Sequence, residues 1–208
     1  MTTAAPTAVD FERFVKETSP PGVRLESSEA AQDPVEFRLR NLNDNPRLAG
    51  VVRAAGDAMK KMNPPAGHYL GFAAHGSFNT DVAEIAEVSI EGNKIRVHKV
   101  TCVVDCGIAV NPDIVRAQME GAIIFGLTAA LYGKLELEDG AFKEGNFDSY
   151  LMLRMNEAPA IDVMIVESGA APTGVGEPGL PPIAPAVANA VYAATGKRLR
   201  SLPLTLPV

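Results

Sequence analysis

The sequence has no tryptophan, two cysteines and three histidines among its 208 residues, and aromatic residues make up only 6% of it. A metal site built from cysteine and histidine needs several such ligands close together, whereas only His98 lies near Cys102 and Cys106. The C-x3-C spacing on a predicted strand places both cysteines on one face. We therefore expect a buried apolar pair, with a metal site as the less favoured alternative.

Basic residues are few, with 19 lysines and arginines against 25 acidic residues, a net charge of −6 and no basic cluster. This distribution argues against nucleic-acid binding. No apolar run approaches the roughly 18 residues of a membrane span. Met1–Val9 lacks the basic and apolar regions of a signal peptide. The composition, 47% hydrophobic and 21% charged, is typical of a globular protein with a real core.

The first third of the chain is predicted to be helical or irregular. Residues 1–32 are expected to form an arm and linker with a short helix over Val9–Thr18. Residues 33–66 are expected to form a helical segment, in which Asp33 caps a helix that begins with proline. A second helix is predicted over Arg47–Met62, where apolar residues recur at helical spacing.

Residues 67–208 are expected to form the main domain, which begins with three strands in an antiparallel meander that buries one face. Imperfect alternation in the second strand indicates a bulge, and the odd-numbered residues from Ile95 to Val103 are expected to share a face. The strands are predicted over Tyr69–Phe78, Val82–Ile90, Ile95–Val104, Ala160–Val166 and Arg198–Leu204, with a small hairpin over residues 134–143.

A nearly uncharged helix is predicted over Ile114–Tyr132, and a helix that is apolar all round is buried on most sides. Gly121 and Gly126 each weaken such a helix by about 1 kcal/mol relative to alanine. A close neighbour is expected to compensate, and the sequence leaves open whether it is another helix or a ligand. The expected fold class is α+β, with a mixed or antiparallel sheet packed by this helix and an alanine-rich one over Ala186–Ala194, and with an N-terminal helical arm.

The glycine- and proline-rich stretch before the alanine-rich helix carries one charged residue, Glu177. It has three interpretations: an acid that favours the helix dipole, a dinucleotide loop, or a catalytic base whose pKa the apolar loop can tune. Gly174, Gly176 and Gly179 do spell G-x-G-x-x-G. A dinucleotide fold needs an acid about 20 residues further on, and none follows Glu177, so we reject that interpretation.

Several segments together resemble one family, the molybdenum hydroxylases of the xanthine dehydrogenase and aldehyde oxidase type. The similarity is to the C-terminal part of the molybdopterin-binding large subunit, and most closely to the isoquinoline 1-oxidoreductase beta-subunit type. The matching segments, in the family's order, are D-P-V-E-F-R-L, V-A-E-I-A-E-V-S-I, V-D-C-G-I-A-V-N-P-D, A-Q-M-E-G-A-I-I-F-G-L, N-F-D-S-Y with R-M-N-E-A-P, and G-V-G-E-P-G-L-P-P-I-A-P-A-V-A-N-A.

The resemblance implies roles for individual residues. Glu177 would be the catalytic base, taking a proton from a hydroxyl group on molybdenum while an aldehyde or N-heterocycle is hydroxylated with water as the oxygen source. Gln118 would hydrogen-bond the pterin, and Gly121, Gly174 and Gly176 would lie at the cofactor. No residue is expected to bind the metal directly. The implied cofactor is molybdopterin cytosine dinucleotide, and 2Fe-2S clusters would lie on a partner subunit.

The family's large subunit is several times longer than this chain, and its other cofactor-binding loops have no counterpart here. The cofactor is therefore expected to be shared between residues 67–208 and the remaining large-subunit portion, with an iron–sulfur small subunit as a further partner. The alternative is a non-catalytic folded remnant or interaction module. The sequence does not reveal the substrate, the electron acceptor or the compartment, although the resemblance allows a periplasmic one.

Overall fold

The computed structural model describes residues 33–206 of the protein, so the helix predicted over Val9–Thr18 lies outside the described residues. Those residues form an α+β fold, which confirms the predicted class. The helices are α1 (Pro34–Arg40), α2 (Pro46–Lys60), α3 (Pro112–Leu131) and α4 (Ile183–Thr195). The strands are β1 (Tyr69–Ser77), β2 (Thr80–Glu91), β3 (Lys94–Asp105), β4 (Leu137–Glu138), β5 (Ala141–Phe142) and β6 (Ala160–Ile165).

The first three helices begin in the same way, with a side-chain cap followed by a proline. The side chains of Asp33, Asn45 and Asn111 accept hydrogen bonds from backbone amides two or three residues later. The proline that follows has no N–H group to leave unsatisfied in the first turn. α4 has no side-chain cap, and it ends at Gly196 in the left-handed conformation that suits glycine.

The main sheet has the strand order β1-β2-β3-β6, in which β1, β2 and β3 are antiparallel and β6 runs parallel to β3. The register between β2 and β3 shifts at Glu87 and Val88, which lie opposite Lys99 and Val97. The predicted irregularity is thus confirmed, but the extra residue is His98 on β3 rather than a residue of β2.

Helices cover both faces of this sheet, so the prediction that the meander buries one face is wrong. α3 and α4 pack on one face, where the apolar cluster includes Val100, Cys102, Met119 and Val187. α1 and α2 pack on the other face in a second cluster, whose buried residues are Val35, Leu42, Leu48, Val51, Val52, Ala55, Phe72, Ala83, Ile85 and Val103.

The bulge at His98 also overturns the predicted alternation along β3. Ile95 and Val97 pack with Val100 in the cluster under α3 and α4, whereas Val103 belongs to the cluster under α2. The extra residue moves the side chains that precede it onto the opposite face relative to those that follow. A strict period of two from Ile95 to Val103 is therefore wrong.

The alanine-rich helix α4 lies directly on β1. A Cβ atom on Gly71 would collide with the backbone of Ala186 and Ala190, and the side-chain amide of Asn189 donates to the carbonyl of Phe72 at 3.0 Å. Small residues on both elements allow this close approach.

Within residues 33–206, α3 is the one helix that could cross a membrane by length and composition, with a mean hydropathy of 1.3 over 18 residues. This corrects the statement that no apolar run approaches that length. Of that window, 44% is buried inside the protein. Core helices of globular proteins pass the same test, so the feature is only a weak indication of a span.

The second half of the chain confirms two predicted elements and contradicts a third. β4 and β5 form the expected hairpin around Asp139 and Gly140, both at positive φ, and β6 is present. The strand predicted over Arg198–Leu204 is absent. Pro203 offers no amide to a ladder, and the amide of Leu204 instead donates to the carbonyl of Ala130 at 2.7 Å, at the end of α3.

Candidate functional site

Glu177 lies in the segment without helix or strand that joins β6 to α4, and its side chain is exposed. Its carbonyl accepts a hydrogen bond from the amide of Leu180 at 2.9 Å, which forms a turn. α4 begins only at Ile183 and has no acid in its first turn. The interpretation of Glu177 as a helix-dipole acid is therefore wrong.

The turn after Glu177 packs directly on α3. A Cβ atom on Gly179 would lie 3.3 Å from the carbonyl oxygen of Met119 and 3.3 Å from the Cβ atom of Ala122. Gln118 precedes Met119 on α3 and has an exposed side chain. The structure thus brings the segments of Glu177 and Gln118 to the same part of the molecule.

Gln118 belongs to an open face of α3. Ile114, Gln118, Gly121 and Phe125 follow a helical spacing that places them on one side, and Ile114 and Phe125 are 56% and 63% exposed. A Cβ atom on Gly121 would meet no described atom within 4 Å. This face therefore combines an amide, a notch at a glycine and two apolar side chains.

Gly126 faces the other way and resolves one of the alternatives left open by the sequence. A Cβ atom there would lie 2.5 Å from Cγ2 of Ile183 and 3.0 Å from the carbonyl oxygen of Leu180. The close neighbour of Gly126 is thus the start of α4 and the turn before it. Gly121 has no such neighbour among residues 33–206.

Gly174 and Gly176 are both exposed, but their backbones have different surroundings. The hydroxyl of Thr80 donates to the carbonyl of Gly174 at 2.7 Å and lies 2.6 Å from the hydroxyl of Thr173. A Cβ atom on Gly176 would meet no described atom within 4 Å. Gly174 is thus fixed to the start of β2, whereas Gly176 borders open space beside Glu177.

Arg47 and Asp105 form an ion pair beneath this segment that the sequence patterns do not single out, with Asp105 buried and Arg47 half-buried. Asp105 is 1% exposed, and its carboxylate receives the guanidinium of Arg47 at 2.8 Å. Burial raises the pKa of Asp105, but hydrogen bonds from Arg47, Gly107 and Ser168 outweigh it and hold that pKa below its usual value. The available signal was the acid in the V-D-C-G segment at the end of a strand.

Glu84 is a second buried acid that sequence reasoning missed. It lies in β2, opposite Ala73 and Cys102 on the neighbouring strands. Neither carboxyl oxygen has a hydrogen-bond partner within the described part of the chain. Burial raises the pKa of Glu84 well above its ordinary value, so the core favours the protonated form of this side chain.

Cys102 and Cys106 are buried free thiols, as expected for an apolar pair. Burial raises the pKa of both thiols, and for Cys102 the nearby Glu84 adds to the effect. Among residues 33–206, no group of three or more histidine, cysteine or acidic side chains is arranged to hold a metal ion. His98 instead stacks on His68.

A family profile and sequence relatives both relate this chain to proteins that bind the molybdopterin cofactor. Residues 54–159, about half of the chain, match the profile of the molybdopterin cofactor-binding domain. Isoquinoline 1-oxidoreductase subunit beta of Brevundimonas diminuta is 43% identical over 83% of this chain and 23% of the relative. A membrane-bound aldehyde dehydrogenase of Gluconacetobacter polyoxogenes, named for pyrroloquinoline quinone, is 31% identical over 83% of this chain and 25% of the relative.

A solved structure supports the same relationship. The aldehyde oxidoreductase from Desulfovibrio desulfuricans ATCC 27774 superposes with a TM-score of 0.52 and 28% identity over 60% of this chain and 14% of its own. The chain thus spans about a quarter or less of the length of the proteins it matches.

Proposed function

Because this chain belongs to the molybdopterin cofactor-binding family of the molybdenum hydroxylases, we propose that it is the C-terminal portion of the catalytic subunit of such an oxidoreductase. The subunit oxidises an aldehyde or an N-heterocycle and takes its oxygen from water. The observation that carries this proposal is the packing of the Glu177 turn on α3 beside Gln118, at Gly179 and Met119.

The exposed face of α3 fits a pterin in its chemistry. The side-chain amide of Gln118 offers two donors and one acceptor, as a pterin edge requires, and the residue is exposed. The missing side chains of Gly121 and Gly176 leave room for close approach. Gln118 would hold the pterin, with Gly121, Gly174 and Gly176 beside it.

Glu177 is the base in this proposal. The bound cofactor supplies the oxygen-transfer and electron-accepting chemistry. The carboxylate of Glu177 takes the proton that must leave as water oxygen becomes bonded to substrate carbon. Glu177 is exposed at a turn and follows Gly176, which borders open space, so its carboxylate is accessible.

The cofactor is molybdopterin cytosine dinucleotide, shared with the remaining large-subunit portion, and electrons leave through 2Fe-2S clusters on a partner subunit. The exposed apolar side chains Ile114 and Phe125, with Val110 at 80% exposure, support a surface that the remaining portion covers. The alternative of a non-catalytic remnant is not favoured, because the relatives are enzyme subunits.

The test is cofactor content and activity of the chain purified alone and with its co-expressed genomic neighbours. We expect molybdenum and pterin in the co-purified complex. The Glu177→Gln variant is expected to keep both and to lose about 100-fold or more in kcat. Glu167→Gln, an exposed acid in the same segment, is the matched control and should behave like wild type.

Two results would overturn the proposal. A complex that contains pyrroloquinoline quinone, or no cofactor, contradicts the assignment of molybdopterin. A molybdenum-loaded Glu177→Gln variant with wild-type kcat contradicts the role of Glu177 as the base.

A further inference from the structure

The ion pair between the buried Asp105 and the half-buried Arg47 lies where the segment that carries Glu177 leaves β6. We propose that Asp105, held by Arg47, is the positioning residue for the Glu177 turn. Together they fix two turns, one at Gly107 and one between β1 and β2, and the backbone of Ala170–Gly174 is hydrogen-bonded to both. The inference rests on the proposed role of Glu177, and it concerns side chains to which that proposal gives no function.

The Asp105 carboxylate accepts hydrogen bonds from three parts of the chain. The guanidinium of Arg47, in the first turn of α2, reaches its two oxygens at 2.8 and 3.3 Å. The amide of Gly107 and the hydroxyl of Ser168 each donate to Oδ1 at 2.8 Å. One side chain thus joins α2, the turn after β3 and the segment after β6.

The first of these turns is the one at Gly107, which is fixed by the hydrogen bond from the Gly107 amide to the Asp105 carboxylate. Gly107 has φ of +72°, and a Cβ atom there would collide with the carbonyl oxygens of Ala170 and Ala171. The amide of Ile108 donates to the carbonyl of Ala170 at 3.0 Å. The segment therefore rests directly on the backbone of this turn.

The second turn is the one between β1 and β2, which the Arg47 guanidinium contacts while it is paired with Asp105. Nη1 of Arg47 donates to the carbonyl of Asn79 at 3.1 Å, and Asn79 has φ of +58°. The next residue, Thr80, donates to the carbonyl of Gly174 at 2.7 Å. The amide of Thr173 also donates to the carbonyl of Cys106 at 3.0 Å, so both turns meet the segment just before Glu177.

The ion pair is better explained by position than by stability. Burying the Asp105 carboxylate removes its hydration, whereas Arg47 keeps part of its own at 29% exposure. A well-packed apolar pair is often as stable as an ion pair that is taken out of water. Here every partner of the Asp105 carboxylate other than Arg47 belongs either to the Gly107 turn or to the segment after β6. Placement of a catalytic group within a fraction of an ångström is what such a network provides.

The experiment uses Ser168→Ala in the co-purified complex, because this change removes one hydrogen bond without leaving Arg47 unpaired. Hydrogen exchange should rise at least tenfold in peptides that contain the amides of Ile108 and Thr173, and should stay unchanged in α2. Ser89→Ala, which removes the bond between Ser89 and His98 at 2.8 Å, is the matched control and should leave both regions unchanged.

Kinetics supply the second readout. If the Glu177 carboxylate is displaced, kcat and kcat/KM should fall together by about tenfold with KM and molybdenum content unchanged. Arg47→Lys, which keeps the charge and loses the two-pronged contact, should shift both readouts in the same direction. For the double variant Arg47→Lys/Ser168→Ala, the loss of kcat/KM expressed as a free energy should not exceed the sum of the losses in the two single variants, because both changes act through Asp105.

The inference is overturned if exchange in the Ile108 and Thr173 peptides is unchanged in Ser168→Ala, if it rises equally throughout the sheet and helices, or if kcat is unchanged while exchange rises locally. Failure of the proposed function is a separate observation, namely wild-type activity of Glu177→Gln. The exchange measurement reports the position of the segment whatever Glu177 does.

Discussion

The imidazole rings of His68 and His98 stack with their centroids 4.1 Å apart and their planes 18° apart. Nδ1 of His68 lies 2.6 Å from the carboxylate of Glu87, and Nε2 of His98 lies 2.8 Å from the hydroxyl of Ser89. His98 occupies the bulge of β3, so the irregularity in the sheet is where the second ring meets the first.

Two histidines, His98 of this pair and His75 of β1, make stability depend on pH. Burial, followed by the proximity of His68 and Arg96, lowers the pKa of His98 from the ordinary 6.5, although Glu87 and Glu91 oppose the shift. Burial also lowers the pKa of His75. The unfolded chain then binds more protons than the folded one, so stability is fully present above about pH 6.5 and is lost as pH falls through the lowered values.

The measurement is urea unfolding between pH 7.5 and pH 5. We expect the free energy of unfolding to decrease toward pH 5 and His98→Gln to show a smaller decrease than wild type, with His75→Gln as the comparison. An identical pH slope in wild type and His98→Gln contradicts the assignment to this ring.

Glu84 gives a pH dependence of the opposite sign. Its pKa is raised well above the ordinary 4.5 by burial, so the folded state holds a proton that the unfolded state releases. The stability it contributes is therefore greatest below about pH 4.5 and is lost as pH rises through the raised value. Replacing this unpartnered acid with methionine, which is apolar and of similar length, is expected to stabilise the fold by about 1–3 kcal/mol.

Urea unfolding of Glu84→Met and of wild type at pH 8 and at pH 5.5 tests this expectation. The increase in the free energy of unfolding over wild type should be larger at pH 8. Glu120→Met, an exposed acid on α3, is the control and should change stability little at either pH. A destabilised Glu84→Met variant would mean that the carboxyl group has a partner that holds it in place.

The two glycines of α3 should respond oppositely to the same substitution. Gly121→Ala meets no described atom within 4 Å, so it should stabilise the helix by about 1 kcal/mol through propensity alone. Gly126→Ala would press on Ile183 at 2.5 Å and should destabilise by about 1–3 kcal/mol. Thermal unfolding of both variants checks the signs.

Gly121→Ala has a further consequence in the co-purified complex. If the cofactor approaches this notch, the added methyl group should lower molybdenum content even though the helix is more stable. Full molybdenum content in a stabilised Gly121→Ala variant would show that the notch is not used.

Gln118→Leu should weaken cofactor retention without affecting the fold. The change removes the amide while keeping a side chain of similar size on the exposed face of α3, and the loss of hydrogen bonds to a pterin is expected to weaken retention about tenfold. Molybdenum content after dialysis measures this loss. Glu120→Gln on the same helix is the control, and equal retention in the two variants argues against a pterin contact at Gln118.

Local chemistry explains which parts of the fold were predictable. Asp33 and Asn111 precede prolines at helix starts, and each cap acts within three residues. Broken alternation in β2 predicts the bulge, although its extra residue, His98, lies on β3. Alternation also places Glu84 on the face of Val82 and Ala86, but a charged residue is not expected in a core, so its burial went unnoticed.

The features of the fold that the sequence does not predict are contacts between segments far apart in the chain. The second covered face of the sheet comes from α2, and the contact between Arg47 and Asp105 joins residues 58 positions apart. The proximity of Gln118 to the Glu177 turn came from resemblance to a family rather than from any periodicity. This proximity depends on Gly179, where a side chain would press on Met119, a contact that only the folded structure shows.

The Glu177 turn and α3 touch at two places, Gly179 on Met119 and Leu180 on Gly126. These two contacts lie about two helical turns apart on α3, so they restrict pivoting of the turn on the helix. The segments of the acid and of the Gln118 amide are thus held together by close backbone packing at two glycines rather than by side-chain bonds. A larger side chain at either glycine would therefore push the turn away from α3 without removing any polar group of the site.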